Sequence, residues 1–111
     1  MTIRIIVADD HPIYRDGVVK SLEETGEFRV VGTASSAQEA ARLAEVKHPD
    51  IALLDLSMPG GGLTAVKAIS AAGSAKYVAM LTVSEEDGHV SDALKFGAIA
   101  YILKGVSASE L

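Results

Sequence analysis

The sequence predicts a doubly wound α/β domain on a five-stranded parallel sheet, with its last helix truncated. Two observations carry that prediction. Short apolar runs at Ile3–Ala8, Phe28–Ala34, Ile51–Leu54, Tyr77–Leu81 and Ile99–Leu103 alternate with segments of helical period. Apolar runs of this length read as strands buried in a parallel sheet, and strict strand–helix alternation is the pattern of an α/β fold. The second observation is where the runs stop. Four of them end at residues able to bind phosphate or metal: Asp9 and Asp10, Asp55, Thr82, and Lys104.

Each connecting element has its own signal. Ile13, Gly17, Val18 and Leu22 are read as the inner face of a first helix that starts near Pro12 and stops at Gly26. Ser36-x-x-Glu39 is a capping-box pattern, and Ala37, Ala40, Leu43 and Ala44 form the stripe behind it, with Pro49 closing the helix. Leu63, Val66 and Ile69 mark a third helix ending at Gly73. Ser84-x-x-Asp87 opens a fourth, with Val90, Ala93 and Leu94 inward and Gly97 at its end. Ser107-x-x-Glu110 repeats the signal just before Leu111, which is read as a last helix cut short. The apolar sheet surface this would leave uncovered is expected to lower stability or to be covered by a partner.

The second run alone ends without charge, at Thr33, Ala34 and Ser35. A strand outside the site belongs at the sheet edge. With right-handed crossovers this favours the flavodoxin-like order 2-1-3-4-5, whose switch point lies between strands one and three. Ligands in such sheets bind beyond the carboxyl ends of the strands, so Asp9, Asp10 and Asp55 flank the crevice.

Composition narrows the function. The chain has 111 residues, 49% apolar, with three Tyr and two Phe, so one domain must be packed with aliphatics and alanine. Ten Lys and Arg against fifteen Asp and Glu give a net charge of -5, which disfavours nucleic acid and anionic membranes as direct partners. There is no Cys, which excludes disulfides and thiolate metal sites. No targeting signal or spanning stretch is evident, and the expected location is the cytoplasm.

Three clustered carboxylates repel one another, and a divalent cation relieves that repulsion. Hard oxygen ligands favour Mg²⁺. An ammonium and a hydroxyl opposite complete a clamp for a phosphoryl group, where catalysis is mainly positioning and charge neutralisation. A carboxylate can itself be the nucleophile and give an aspartyl phosphate. These residues do not say which Asp accepts. Several simpler readings also apply. His11, His48 and His89 are read as solvated histidines without partners. Glu85, Glu86 and Asp87 are read as favouring a helix N-terminus. Gly60–Gly62 lacks the spacing and Lys of a P-loop.

The stretches ADDHPIYRDGV at 8–18, DLSMPG at 55–60, LTVSEED at 81–87 and GAIAYILKG at 97–105 resemble response regulator receiver domains, most closely those preceding a LuxR-type helix-turn-helix output domain. The resemblance covers the whole chain, 1–111, and implies a C-terminal output domain that is not part of it. It implies Asp55 as phosphoacceptor and a Mg²⁺ shell of Asp9, Asp10, Asp55 and the backbone carbonyl of Ser57. Thr82 and Lys104 would bind phosphoryl oxygens, and Tyr101 would be an aromatic switch moving with Thr82. The implied partners are a sensor histidine kinase and, on phosphorylation, a second copy of the chain, with DNA reached only through the output domain. Such a domain catalyses its own phosphorylation and slow dephosphorylation and is not a turnover enzyme. Two departures stand out. Only Gly60, Gly61 and Gly62 precede Leu63, one residue fewer than usual, and Gly105 follows Lys104 where Pro is common. The alternatives are a phosphorylation-independent receiver acting as an interaction module, and an aspartyl phosphohydrolase. The latter is disfavoured because Ser57 stands where it would need a second Asp.

Overall fold

The computed structural model describes residues 2–55, 58, 60–82 and 100–103. In chain order the elements are β1 (Ile3–Ala8), α1 (Pro12–Glu24), β2 (Phe28–Ala34), α2 (Ala37–Lys47), β3 (Ile51–Asp55), α3 (Gly62–Ala72), β4 (Tyr77–Thr82) and β5 (Ala100–Leu103). The strands are parallel in the order β2-β1-β3-β4, with β5 laid against β4 from Ala79↔Ala100 to Thr82↔Leu103. The expected helices opening at Ser84 and Ser107 lie outside the described residues.

Strand alternation divides the core in two. Ile5, Val7, Leu53 and Leu81 point to one face and pack with Val18 and Leu22 of α1. Ile6, Ala8, Ala52, Leu54, Val78 and Met80 point to the other, under α2 and α3. Side chains that alternate along each strand thus supply both layers, as a doubly wound sheet requires. Alanine dominates the second layer: Ala34, Ala37, Ala40, Ala44, Ala65 and Ala75 let two helices sit close on the sheet. Leu54, fully buried among them, contributes about 2 kcal/mol of apolar burial.

Close approach also governs β2. Its register to β1 shifts between Ile5↔Val30 and Ile6↔Gly32, which leaves Val31 as an extra residue. A Cβ at Gly32 would stand 2.7 Å from Leu43 Cδ1, so glycine there allows α2 its position.

The caps are largely those the sequence signalled. Ser36 Oγ accepts a hydrogen bond from the Glu39 N–H at 3.2 Å. The reciprocal half differs: Glu39 Oε1 accepts from Ser35 Oγ at 2.9 Å. Helix α2 ends at Lys47 with His48 in the left-handed region (φ 46), ahead of Pro49. Arg4 closes that end, its Nη1 donating to the His48 carbonyl at 3.0 Å and Nη2 to the Lys47 carbonyl at 2.7 Å. Helix α3 ends at Gly73 with φ 66, as a glycine C-cap should.

One face assignment is corrected. Ile13 is 90% exposed and Gly17 is also exposed, whereas the buried residues of α1 are Val18 and Leu22 with Tyr14 and Val19 partly covered. The reason is angular. At about 100° per residue, position 13 lies about 180° from position 22, while 14, 18 and 22 follow one stripe.

Candidate acidic site

Parallel pairing carries the ends of β1 and β3 to one rim. Ala8 pairs with Leu54 and Asp55 with Leu81, so Asp9, Asp10 and Asp55 emerge together beyond the strands. The Asp9 N–H donates to the Ala34 carbonyl at 3.0 Å, which ties the first of them to the neighbouring strand. Asp9 is 0% exposed and Asp55 1% exposed. The Asp10 side chain is 30% exposed. One ligand atom from each of Asp9, Asp10, His11 and Asp55 can be chosen so that all lie within 4.8 Å of one another.

Such a group is costly by itself. Two carboxylates 4.8 Å apart repel by about 3.5 kcal/mol at an effective dielectric near 20. Burial weakens solvation of both charges. Local groups supply part of the compensation. The His11 N–H donates to Asp9 Oδ1 at 2.9 Å, and its Nδ1 lies 3.1 Å from the same oxygen. Nδ1 is also 3.1 Å from Asp10 Oδ1. Arg15 Nη1 donates to the Asp9 carbonyl at 3.0 Å and brings a guanidinium beneath the cluster.

His11 therefore departs from the reading of a solvated histidine without partners. Its ring is exposed, yet it touches both carboxylates of the acid pair. It is the N-cap of α1, held at φ -100 and ψ 99 ahead of Pro12. Arg15 was not singled out in the sequence. Its signal was available: four residues after the N-cap, a helical side chain leans back toward the N-terminus and reaches the loop before the helix.

The loop after β3 is shaped by its glycines. Gly61 N–H donates to the Met58 carbonyl at 3.0 Å, closing a turn in which Gly60 and Gly61 have φ of 87 and 86. Met58 is buried, and a Cβ at Gly60 would stand 2.9 Å from Ala37 Cβ. The loop beside Asp55 is thus seated on the start of α2.

Of the remaining expected site residues, Thr82 closes β4, opposite Leu103, and Tyr101 pairs with Met80 in β5. The side chains of Thr82 and Tyr101, and all of Ser57 and Lys104, lie outside the described residues. The oxygen donor set fits a hard divalent cation. Asp10 Oδ1 is buried and accepts no hydrogen bond among the described residues, with His11 Nδ1 3.1 Å from it.

Comparison with known proteins points to one family. The family model for the response regulator receiver domain matches residues 5–111. The response regulator GacA of Pseudomonas viridiflava is 36% identical over 110 residues, which cover 98% of this chain and 51% of that protein. The signal receiver domain of NarL from Mycobacterium tuberculosis superposes with a TM-score of 0.92 at 35% identity, covering 98% of this chain and 89% of that one. The receiver domain of the sensor histidine kinase PA1611 from Pseudomonas aeruginosa PAO1 was solved with a magnesium ion in its active-site cleft. It superposes with a TM-score of 0.86 at 25% identity, covering 99% and 91% of the two chains. The chain spans about half the length of the curated relatives it matches.

Proposed function

The chain belongs to the response regulator receiver domain family, and from that premise we propose that it accepts a phosphoryl group on Asp55 from a histidine kinase in a Mg²⁺-dependent reaction. The observation that carries this reading is the burial of Asp55 at a strand end, with ligand atoms of Asp9 and Asp10 within 4.8 Å. A carboxylate there is held ready to attack and is screened from water that would compete with it.

In the transfer, an Asp55 oxygen attacks the phosphorus of a phosphohistidine in line with the leaving nitrogen. The new O–P bond forms as the P–N bond breaks, and the imidazole nitrogen keeps the electron pair and takes up a proton. Asp9, Asp10, Asp55 and the Ser57 carbonyl would hold the cation, Asp10 more directly than Asp9. When bound, Mg²⁺ supplies charge neutralisation for the carboxylates and the incoming phosphoryl oxygens. Arg15 and His11 fix the Asp9–Asp10 loop before any ion arrives. Thr82 donates a hydroxyl and Lys104 an ammonium to the phosphoryl group.

New charge on Asp55 draws Thr82 and Lys104 toward it, and Tyr101 moves inward as β4 and β5 repack. The pairing of β5 on β4 supports the doubly wound order 2-1-3-4-5. The changed face of the fourth helix and fifth strand serves self-association and control of an output domain, transcriptional in type and outside this chain. No helix among the described residues is long and apolar enough to cross a membrane. The proposed setting is the cytoplasm.

Acetyl phosphate with Mg²⁺, followed by intact-mass measurement, tests the reading. A lasting gain of one phosphoryl group, lost in Asp55→Asn, is expected. Donor consumption without a lasting adduct would indicate a phosphohydrolase. Neither adduct nor consumption would indicate a phosphorylation-independent module.

A further inference from the structure

We propose that His11 Nδ1 is an additional ligand of this cation site and shifts its preference from Mg²⁺ toward Mn²⁺ and Co²⁺; the inference rests on the cluster being the cation site described above. The spacing carries the argument. Ligands about 2.2 Å from one ion and at right angles to each other are about 3.1 Å apart, and opposite ones about 4.4 Å. His11 Nδ1 is 3.1 Å from Asp9 Oδ1 and 3.1 Å from Asp10 Oδ1, and the wider set spans no more than 4.8 Å. The imidazole nitrogen therefore stands from each of two carboxylate oxygens at the spacing of adjacent ligands on one ion.

Two further observations separate this from an ordinary histidine contact. Nδ1 makes its hydrogen bond to Asp9 Oδ1, and its approach to Asp10 Oδ1 at 3.1 Å leaves that buried oxygen without one among the described residues. The ring is also fixed from its own backbone. His11 N–H donates to Asp9 Oδ1 at 2.9 Å, and Pro12 restricts the chain immediately after it. The side chain is 63% exposed, so Nδ1 borders the cluster while the rest of the ring faces solvent. Mg²⁺ favours oxygen and keeps its water, whereas imidazole binds later divalent ions better. A nitrogen at this position gains affinity for Mn²⁺ and Co²⁺ that a purely oxygen site lacks.

Calorimetric titration of the chain with MgCl₂, MnCl₂ and CoCl₂ tests this, using wild type, His11→Ala, His11→Gln and Asp10→Asn. Loss of the imidazole should weaken Mn²⁺ and Co²⁺ by about tenfold or more and change Mg²⁺ by less than about twofold. His11→Gln should match His11→Ala, since a side-chain amide can restore a hydrogen bond to Asp9 but not the nitrogen ligand. Pulsed electron paramagnetic resonance of the Mn²⁺-loaded wild type should show nitrogen modulation that both His11 variants lack. Equal changes for all three ions, no change for any, or no nitrogen modulation in the wild type would overturn the proposal. Absence of Mg²⁺ binding in the wild type, or full binding by Asp10→Asn, would instead overturn the cation site itself, and this proposal with it.

Discussion

Replacing Asp10 by Asn should make the metal-free fold more stable and abolish its response to Mg²⁺. The charge at Asp10 enters two repulsive pairs, with Asp9 and with Asp55. At 4.8 Å, the widest separation in the cluster, each pair is worth about 3.5 kcal/mol at an effective dielectric near 20, or about 7 kcal/mol for the two before screening. Two features reduce it. The Asp10 side chain is 30% exposed, and the Arg15 guanidinium is held at the Asp9 carbonyl beside it. Solvent and this neighbour leave a net gain of about 1–2 kcal/mol. For a domain of this size that corresponds to a rise of roughly 5–10 °C in Tm. Saturating Mg²⁺ at about a hundred times its Kd adds about 2.7 kcal/mol to wild type only. Urea unfolding followed by circular dichroism should therefore rank Asp10→Asn above wild type in EDTA and below it in Mg²⁺. An Asp10→Asn protein less stable than wild type in EDTA would refute the electrostatic reasoning.

Four other substitutions test the local structure. Gly60→Ala combines a positive φ of 87 with a Cβ 2.9 Å from Ala37 Cβ, whereas Gly61→Ala meets only Thr64 Oγ1 at 3.4 Å. The first should cost about 2–4 kcal/mol and the second about 1–2 kcal/mol in denaturant titrations, and equal losses would contradict the close seating of the loop on α2. Ser36→Ala removes the cap on Glu39 N–H and should lower stability by about 1 kcal/mol, read as a shift in the urea midpoint. Ile13→Ser should change stability by less than about 0.5 kcal/mol, because that side chain is 90% exposed; a loss like that of a core isoleucine would place it inward.

Much of this molecule was legible because its signals are local or strictly periodic. The bounds of β1, β2 and α2 follow from apolar runs and caps, and the rim shared by Asp9, Asp10 and Asp55 follows from parallel pairing alone. Ile13 was misassigned because a helix begins with exposed turns, and hydrophobicity there does not reveal which way the first turn faces. His11, read as solvated, and Arg15, not singled out, differ for another reason. The contacts of His11 arise from where α1 starts relative to the β1 rim, which no residue pattern records, whereas the position of Arg15 four residues after the N-cap does signal its reach to that loop. The shift at Val31 and the fit of Gly32 under Leu43 were equally hidden, since both depend on how closely α2 approaches the sheet.

Asp55, rather than Asp9 or Asp10, is the residue proposed to carry the phosphoryl group. Borohydride reduces an acyl phosphate to an alcohol, turning a phosphorylated aspartate into homoserine at its own position. After treatment with acetyl phosphate and Mg²⁺, reduction and peptide sequencing should find homoserine at position 55 and aspartate at positions 9 and 10. Homoserine at 9 or 10, or aspartate retained at all three after full exposure to the donor, would contradict it.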